Sequence, residues 1–493
     1  MMDPRAYDYY IDGLLLEGMG DPVQASRSFL RALQYYPDSY EIGFALAETY
    51  YGMQQPTLAL EALSRLVPRT VNVYLLSAAC YRAMGDDNAA RSTYLKLLQL
   101  DSANATALGY LANSYQQRND PDSMMWAMEL LAQRSPEANS RLWNELGKLR
   151  AQRGNLDGAK EAFQRSLELD RSAANVLAYA GLGDIYDLMH RTDSAASYYL
   201  AGLRVDGDNV LLNRQLISLY LSMDSLRLAL PYAQKVVELA PLDRVGVRRL
   251  AVIYFGLDSL KESDSLFSYL VSGGERNASN HYYLGTIALR EHDYTRAKSE
   301  FTTLTDLADT LSESWLNLGF AYRQLNDTNH EIATYQAGLN HMRDENNAVR
   351  VFFALGAAYE RYGQFDSSVA VFEKLISKAP DHSQALNYLG YMLADRNQRL
   401  DYARELIGRA LAIDSTNGAF LDSYGWVYYR LGDFDKALEY LTRAAESTED
   451  AVVFEHVGDT YNARGDRATA HKWWRKALDL TPTNDAIKEK LAK

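Results

Sequence analysis

The sequence has little cysteine, no long apolar run and no excess of basic residues. Its 493 residues contain one cysteine, Cys80, which excludes an internal disulfide and a cluster of thiolate metal ligands. Cys80 stands on a predicted helix, and we expect it to be buried and inert. No run of about eighteen apolar residues occurs, so no transmembrane helix is predicted. The formal net charge of −13 disfavours a general nucleic-acid-binding protein, because phosphate contacts require Lys and Arg.

Recognisable catalytic and cofactor motifs are also missing. The sequence has no Walker loop, no His-Glu-x-x-His motif and no nucleophile elbow. Gly181-Leu182-Gly183 lacks the third glycine of a dinucleotide fingerprint and has no preceding strand. His281 and His292 look most like a ligand pair, but no third ligand follows at metal spacing. We therefore predict a protein that is not an enzyme and needs no cofactor or metal.

The N-terminus has no targeting signal. Met1-Met2-Asp3-Pro4 is not a charged segment followed by an apolar one, so no signal peptide is predicted. Regular patterning begins near Ala6, from which we expect the chain to be the ordered part of a trimmed protein. An exported or lipid-anchored parent stays open.

A pattern that recurs every thirty-odd residues is the main feature of the chain. It is clearest in Leu421 to Gly432 and Phe434 to Ala445, where a small residue is followed by Tyr, then by a glycine turn and a second apolar stretch. Small residues at two points of each unit predict that two antiparallel helices cross closely there. The small position of the first helix recurs fourteen times, at Gly13, Ala47, Ala78, Ala112, Gly147, Gly183, Ile217, Ala251, Gly285, Gly319, Gly356, Gly390, Gly425 and Gly458. Because some units have alanine there, we expect Gly425→Ala to be mild.

This period and pattern resemble the tetratricopeptide repeat. The resemblance implies an all-α, right-handed superhelical solenoid of about fourteen helix-turn-helix units with a C-terminal capping helix. We predict one continuous solenoid, with an N-terminal array over residues 1–277 (about eight repeats) and a C-terminal array over residues 278–484 (about six). Residues 485–493 form the capping helix, because Ile487 and Leu491 stand four apart among lysines.

The last hundred residues resemble a narrower group. Five segments are similar to the C-terminal block of bacterial envelope tetratricopeptide proteins: Ala385 to Arg396, Asn417 to Ser423, Gly425-Trp426, Tyr429-Arg430 and Glu455 to Asp459. That group includes outer-membrane lipoproteins that act as adaptors for carboxyl-terminal processing proteases. The resemblance implies a periplasmic or outer-membrane location, with a cytoplasmic one as the alternative, and a processing protease as a possible partner.

In such repeats the first helix of each unit lines the concave groove, which implies a set of partner-binding residues. At the C-terminal end they are Asn387, Tyr391, Asp395, Asp422, Trp426, Tyr429, Arg430, Glu455, Asp459 and Asn462. Aromatic and adaptable polar groups are typical of peptide-binding walls. The alternative is that Trp426 and Tyr429 pack against the neighbouring first helix.

The middle units place arginines on the same positions, namely Arg214, Arg248, Arg290 and Arg323. Arginine suits two-point binding of carboxylates. The alternative is a solvated helix face with pairs inside the chain.

Together these patterns predict a non-enzymatic scaffold or adaptor that binds a peptide or a partner protein in its groove, in a bacterial envelope complex such as protease substrate delivery. Two alternatives stay open: a structural assembly component, and the substrate-selecting arm of an enzyme complex.

Overall fold

The computed structural model describes residues 3–134 and 139–492, and within them the chain is helical, with no strand. Met1, Met2 and Lys493, which the sequence analysis names, lie outside the described residues. The chain divides into two compact units, Met1–Gly246 and Val247–Lys493. The array boundary between residues 277 and 278, and the single continuous solenoid, stay predictions.

The first unit contains the helices of the first seven repeats. They are α1 (Pro4–Gly18), α2 (Pro22–Tyr35), α3 (Tyr40–Gly52), α4 (Pro56–Ser64), α5 (Val71–Ala83), α6 (Asp87–Leu100), α7 (Ala105–Gln117), α8 (Pro121–Arg134), α9 (Ser140–Gln152), α10 (Leu156–Leu169), α11 (Val176–Leu188), α12 (Thr192–Val205), α13 (Val210–Ser222) and α14 (Leu226–Leu239). A short 3-10 turn, Ala173–Asn175, precedes α11.

The second unit begins within the first turn of α15. Its helices are α15 (Arg244–Gly256), α16 (Leu260–Ser272), α17 (Ala278–Arg290), α18 (Tyr294–Leu307), α19 (Ser312–Gln324), α20 (Thr328–His341), α21 (Glu345–Arg361), α22 (Phe365–Lys378), α23 (Ser383–Asp395), α24 (Leu400–Ile413), α25 (Gly418–Leu431), α26 (Phe434–Ser447), α27 (Ala451–Ala463), α28 (Arg467–Leu480) and α29 (Asp485–Ala492).

In the described part of the chain, helices α1 to α28 form fourteen hairpins, and each predicted small position lies on the odd-numbered helix of its pair. The predicted all-α repeat fold is confirmed. The helix crossing that we expected is visible in two side-chain bonds. Ser263 Oγ donates to the carbonyl of Ala251 (2.9 Å), and Ser368 Oγ donates to the carbonyl of Gly356 (2.8 Å).

At each crossing glycine, a large side chain of the following helix fills the space where a Cβ would stand. A Cβ built on Gly425 would lie 2.6 Å from Leu441 Cγ and 3.0 Å from the carbonyl of Ala437. The same approach recurs at Gly13, Gly147, Gly183, Gly285, Gly319, Gly356, Gly390 and Gly458. An alanine Cβ at Gly425 would require Leu441 or the backbone of α26 to shift, which contradicts the expected tolerance of alanine there.

Every described hairpin has a residue with positive φ seven positions after the small residue, and the turn between α23 and α24 has a second one, Arg399 (φ +45°). Glycine supplies it in several repeats, as at Gly432 (φ +82°), but Asp224 (φ +52°) and Asp258 (φ +62°) adopt it without glycine. Asp and Asn tolerate this conformation better than other non-glycine residues. The turn geometry is thus kept where the glycine is lost.

The C-terminal helix α29 closes the last hairpin. Ile487 is fully buried in a cluster with Phe454, Trp474 and Ala477. Asp485, Lys488 and Glu489 face solvent. This is the division expected of a capping helix, which covers an apolar face and presents a polar one.

Candidate protein-binding groove

Residues of α23, α25 and the start of α27 line an open cavity of about 430 Å³. Three of the predicted binding residues meet there: Asn387, Tyr391 and Asp422. The other lining residues are Tyr388, Thr416, Gly418, Ala419, Ser423, Ser447, Thr448, Asp450, Val452 and Val453. The wall thus combines carboxylates, hydroxyls and small apolar side chains.

Three acceptor side chains stand at one equivalent position of these helices. Asn387, Asp422 and Glu455 each precede the small residue of their helix by three positions. Asn387 Oδ1 is buried and has no hydrogen-bond partner among the described residues. Asp422 is buried and contacts His456 Nδ1 through both oxygens, at 2.9 and 3.1 Å. The acceptors therefore differ in how far the fold already satisfies them.

Trp426 is 8% exposed and lies in a stack of rings. Its ring centroid is 4.6 Å from Tyr429 and 4.0 Å from His456, and both contacts are nearly parallel. Trp426 Nε1 has no partner within the described residues. Trp426 thus packs against the neighbouring odd-numbered helix, which is the alternative given in the sequence analysis. Its role in partner binding stays a prediction.

Glu455 and Asp459 are occupied by the capping helix. Lys490 Nζ lies 2.7 Å from Glu455 Oε1 and 2.7 Å from Asp459 Oδ2, and Trp474 Nε1 donates to Asp459 at 2.9 Å. Burial lowers the pKa of Lys490, but its bonds to the two carboxylates outweigh burial and the net pKa is raised. A second cavity of about 470 Å³ lies beside this ion pair. Its lining includes Tyr429, Asp459, Asn462, Trp474 and Lys490.

The remaining predicted residues of this end are more exposed. Asp395 and Asn462 face solvent, and the carbonyl of Asp395 accepts from Arg430 Nη2 at 3.0 Å. Tyr391 is half-buried. Burial, followed by the charges of Asp395 and Asp422, raises the pKa of Tyr391 to about 12. Its hydroxyl is therefore protonated at neutral pH and can donate a hydrogen bond.

None of the predicted arginines is among the residues that line these two cavities, and three of them pair inside the chain. In the first unit, Arg214 Nη2 lies 2.6 Å from Asp243 Oδ2. In the second unit, Arg248 contacts Glu275 and donates to Asn280 Oδ1 at 3.1 Å.

Arg290 of the second unit lies 3.1 Å from Asp258 and over the ring of Phe255. Arg323 is exposed, and no acidic side chain of the described chain lies within ion-pair distance of it. Three of the four thus show the internal pairing that the sequence analysis left open, and partner binding by the arginines stays a prediction.

Two contacts were missed by sequence reasoning. His456 was not singled out, although it holds Asp422 and stacks on Trp426. Lys490 was not singled out either, although it reaches two of the predicted groove residues, Glu455 and Asp459. The sequence held a signal for the Lys490 contact. The capping helix follows the last hairpin at the place of the next odd-numbered helix, so its side chains can reach α27.

The described residues contain no group of three or more His, Cys, Asp or Glu that could hold a metal ion. Among the same residues, no helix has the length and apolar character that crossing a bilayer requires. Cys80 is fully buried, as expected, and burial raises the pKa of its thiol to about 11.

Family models of the tetratricopeptide repeat match this chain over residues 311–480, and over residues 71–104 and 140–172. A tetratricopeptide repeat-containing protein of Pseudomonas aeruginosa is 44% identical over 85 residues, which are 17% of this chain and 14% of that protein. The CTR9 homolog of Arabidopsis thaliana is 24% identical over 315 residues, 57% of this chain and 28% of that protein. The BBSome complex member bbs-4 of Caenorhabditis elegans is 25% identical over 134 residues, 27% of this chain and 29% of that protein. The matched segments span less than a third of each of these relatives.

Two solved structures of low sequence identity are also similar to this chain. The APC/C hetero-tetramer Cut9–Hcn1 gives a TM-score of 0.39 at 15% identity and covers 93% of this chain and 97% of that chain. Naa15/Naa10 bound to HypK-THB gives 0.42 at 13% identity and covers 99% of this chain and 78% of that chain.

Proposed function

We propose that this chain, which matches tetratricopeptide-repeat models over residues 311–480, 71–104 and 140–172, is a non-enzymatic adaptor or scaffold. It binds a segment of a partner protein in the groove formed by α23, α25 and α27. The observation that carries the proposal is the cavity between these helices, whose lining combines carboxylates, hydroxyls and apolar side chains. Such a mixture is typical of surfaces that bind a peptide segment.

The finer proposal is a place in a bacterial envelope complex, as an adaptor that brings substrates to a carboxyl-terminal processing protease. It rests on the resemblance of the last hundred residues to envelope adaptors. The local 44% identity to a protein of Pseudomonas aeruginosa supports a bacterial setting. The alternatives are a lipid-anchored parent and a cytoplasmic adaptor. Cell fractionation, with an antibody that detects the chain, distinguishes them.

The test of groove binding uses a charge placed in the cavity wall. Val452 lines the cavity and is exposed, so Val452→Glu should leave the fold intact and weaken partner binding. The matched control is Ile413→Glu, an equally exposed aliphatic residue at the end of α24.

Partners captured from an envelope extract are identified by mass spectrometry, purified, and titrated against the three proteins. Equal affinities for all three proteins at equal melting temperatures would contradict groove binding. A processing protease among the captured proteins would support the finer proposal, and its consistent absence would contradict it.

One observation favours the structural-assembly alternative. The first helix, α1, carries three exposed apolar side chains, Tyr7, Leu14 and Leu15, which are 56, 40 and 56% exposed. Exposed apolar side chains that lie close together are typical of contact surfaces. A light-scattering mass of more than one chain, reduced to one by Leu15→Lys, would favour assembly through this helix. The substrate-selecting arm of an enzyme complex would instead be recognised by a co-purifying enzyme activity.

A further inference from the structure

Three consecutive repeats of the Met1–Gly246 unit have an exposed aliphatic side chain at one equivalent position. Leu177, Leu211 and Val245 each precede the small residue of their helix by six positions, and they are 43–55% exposed. We call these three residues the aliphatic row. Most other repeats have a polar or small residue at this position, namely Glu41, Asn72, Thr106, Arg141, Ser279, Glu313, Arg350, Gln384 and Ala419. The row is therefore particular to α11, α13 and the start of α15.

The position of the row is one that a ligand can reach. In the other unit, Ala419 and Val452 stand at the same position of α25 and α27, and both line the open cavity. Leu242, which is 86% exposed, lies three residues before Val245 and adds apolar surface to the end of the row. Neighbouring apolar side chains that are exposed together are typical of contact surfaces.

The spacing of the row matches the repeat of a helix. Helices that pack side by side lie about 8–10 Å apart, so equivalent residues on neighbouring odd-numbered helices recur at about that distance. Every seventh residue of an α-helix lies on one face, at a spacing of about 10.5 Å. In an extended segment, residues three apart have a similar spacing but point to opposite faces. A helix laid across the row can therefore place an aliphatic side chain on each member.

A cation lies between the second and the third member of the row. Arg214 follows Leu211 by three residues, and its Nη2 lies 2.6 Å from Asp243 Oδ2, two residues before Val245. The side chain of Arg214 is 46% exposed, whereas that of Asp243 is 19% exposed. A guanidinium group has five N–H donors, so Arg214 retains donors beyond this pair. The charge that complements an exposed guanidinium group is a carboxylate.

We propose that the aliphatic row and Arg214 form a docking surface for an amphipathic helix of a partner protein. This helix carries aliphatic residues at every seventh position and an acidic residue between the second and the third of them. None of the four residues lines the cavity of α23, α25 and α27. The inference therefore goes beyond the proposed function, because it adds a second binding surface to the same chain.

The test uses synthetic alanine-based helical peptides with a fluorescent label, titrated with the whole chain and followed by fluorescence anisotropy. The heptad peptide has three leucines, seven residues apart, and a glutamate four residues after the second leucine. The control peptide has the same composition, with the leucines distributed around the helix. Burial of the leucines should make the heptad peptide bind about tenfold more tightly than the control peptide.

Leu211→Ser removes the central member of the row and should weaken the heptad peptide about tenfold. The matched control is Leu100→Ser, at the end of α6, where the leucine is 56% exposed and outside the row. A third variant, Arg214→Gln, tests the charge. The unaltered chain should bind the heptad peptide severalfold more tightly than the same peptide with glutamine in place of glutamate, and Arg214→Gln should abolish this preference.

Four outcomes would overturn the docking surface. The first three are equal binding of the heptad and control peptides, no binding of either, and equal effects of Leu211→Ser and Leu100→Ser. The fourth is a light-scattering mass of two chains that Leu211→Ser reduces to one, which would assign the row to a contact between copies. The proposed function is tested separately, by comparing Val452→Glu with Ile413→Glu, and it can stand or fail independently of these results.

Discussion

The odd-numbered helices of the Val247–Lys493 unit carry opposite charges near its beginning and near its end. On α15 and α17, Arg248 and Arg290 pair with acids of neighbouring loops and turns, Glu275 and Asp258. On α25 and α27, the acids are the lining residues, and the cations come from the following helices, as with Lys490. The same fold thus neutralises both kinds of lining from within the chain.

The regions differ in what is left for a ligand. Around Arg248, Glu275 Oε2 and Asn280 Nδ2 have no partner among the described residues, but Asn280 is fully buried. At the C-terminal end, the unpartnered atom of Asn387 belongs to a residue that lines a cavity of about 430 Å³. Whether a groove residue is available to a ligand therefore depends on a neighbouring cavity and not on the charge of that residue.

The largest expected effect is a loss of stability when an aromatic ring is removed at one equivalent position of two helices. Trp426 and Phe320 each follow the small glycine of their helix, but Trp426 is 8% exposed and Phe320 is 39% exposed. Trp426→Ala should lower the unfolding free energy by about 3–5 kcal/mol, because it removes a packed ring from the stack with Tyr429 and His456. Phe320→Ala is the control and should cost less than half as much. Urea unfolding followed by circular dichroism checks both, and equal losses would show that the two linings are packed alike.

The next prediction tests a feature that the two helices share, the close crossing of the two helices of a hairpin at a glycine. A Cβ on Gly425 would lie 2.6 Å from Leu441 Cγ, and one on Gly319 would lie within contact of the Tyr335 ring. Overpacking of this kind should cost about 1–3 kcal/mol in both Gly425→Ala and Gly319→Ala. Gly109→Ala, where nothing lies within 4 Å, is the control and should be neutral or stabilising. A loss in only one of the two variants would show that the helix crossing differs between the regions.

A smaller effect distinguishes the two arginine pairs. The side chains of Arg248 and Glu275 are 20 and 17% exposed, whereas those of Arg290 and Asp258 are 45 and 82% exposed. Glu275→Ala leaves a partly buried guanidinium without its acid and should cost about 1–3 kcal/mol. Asp258→Ala removes a solvent-exposed pair and should cost less than about 1 kcal/mol. Thermal melts of both variants at low and high salt measure this, and a larger loss from Asp258→Ala would contradict the assignment.

The smallest effect is a dependence on pH at the acidic end. Burial and the nearby carboxylates raise the pKa of Tyr391 from 10.0 to about 12. The unfolded chain releases this proton first, so the folded state loses stability as pH rises from about 10 to about 12. Tyr391→Phe should make the fall of unfolding free energy over this range shallower and leave the value at pH 8 nearly unchanged. An unchanged slope would mean that Tyr391 is not protected in the folded protein.

The repeat register could be predicted almost completely from the sequence. All fourteen small positions lie on odd-numbered helices, and the turn residue with positive φ follows each at a constant spacing. The site could be predicted in part, since Asn387, Tyr391 and Asp422 do share one cavity. The stack on Trp426 could not be predicted, because His456 comes from the next repeat and its ring position depends on the angle between two hairpins.

The sequence by itself determined the number of hairpins, their crossing points and the place of the capping helix, because these depend on helix period and on residue size at fixed spacing. Only the tertiary structure decided which polar groups of the groove are occupied. Asp422 meets His456, and Glu455 and Asp459 meet Lys490, across thirty or more residues of chain. Such pairs form where hairpins stack against one another, and the spacing within a single repeat contains no information about them.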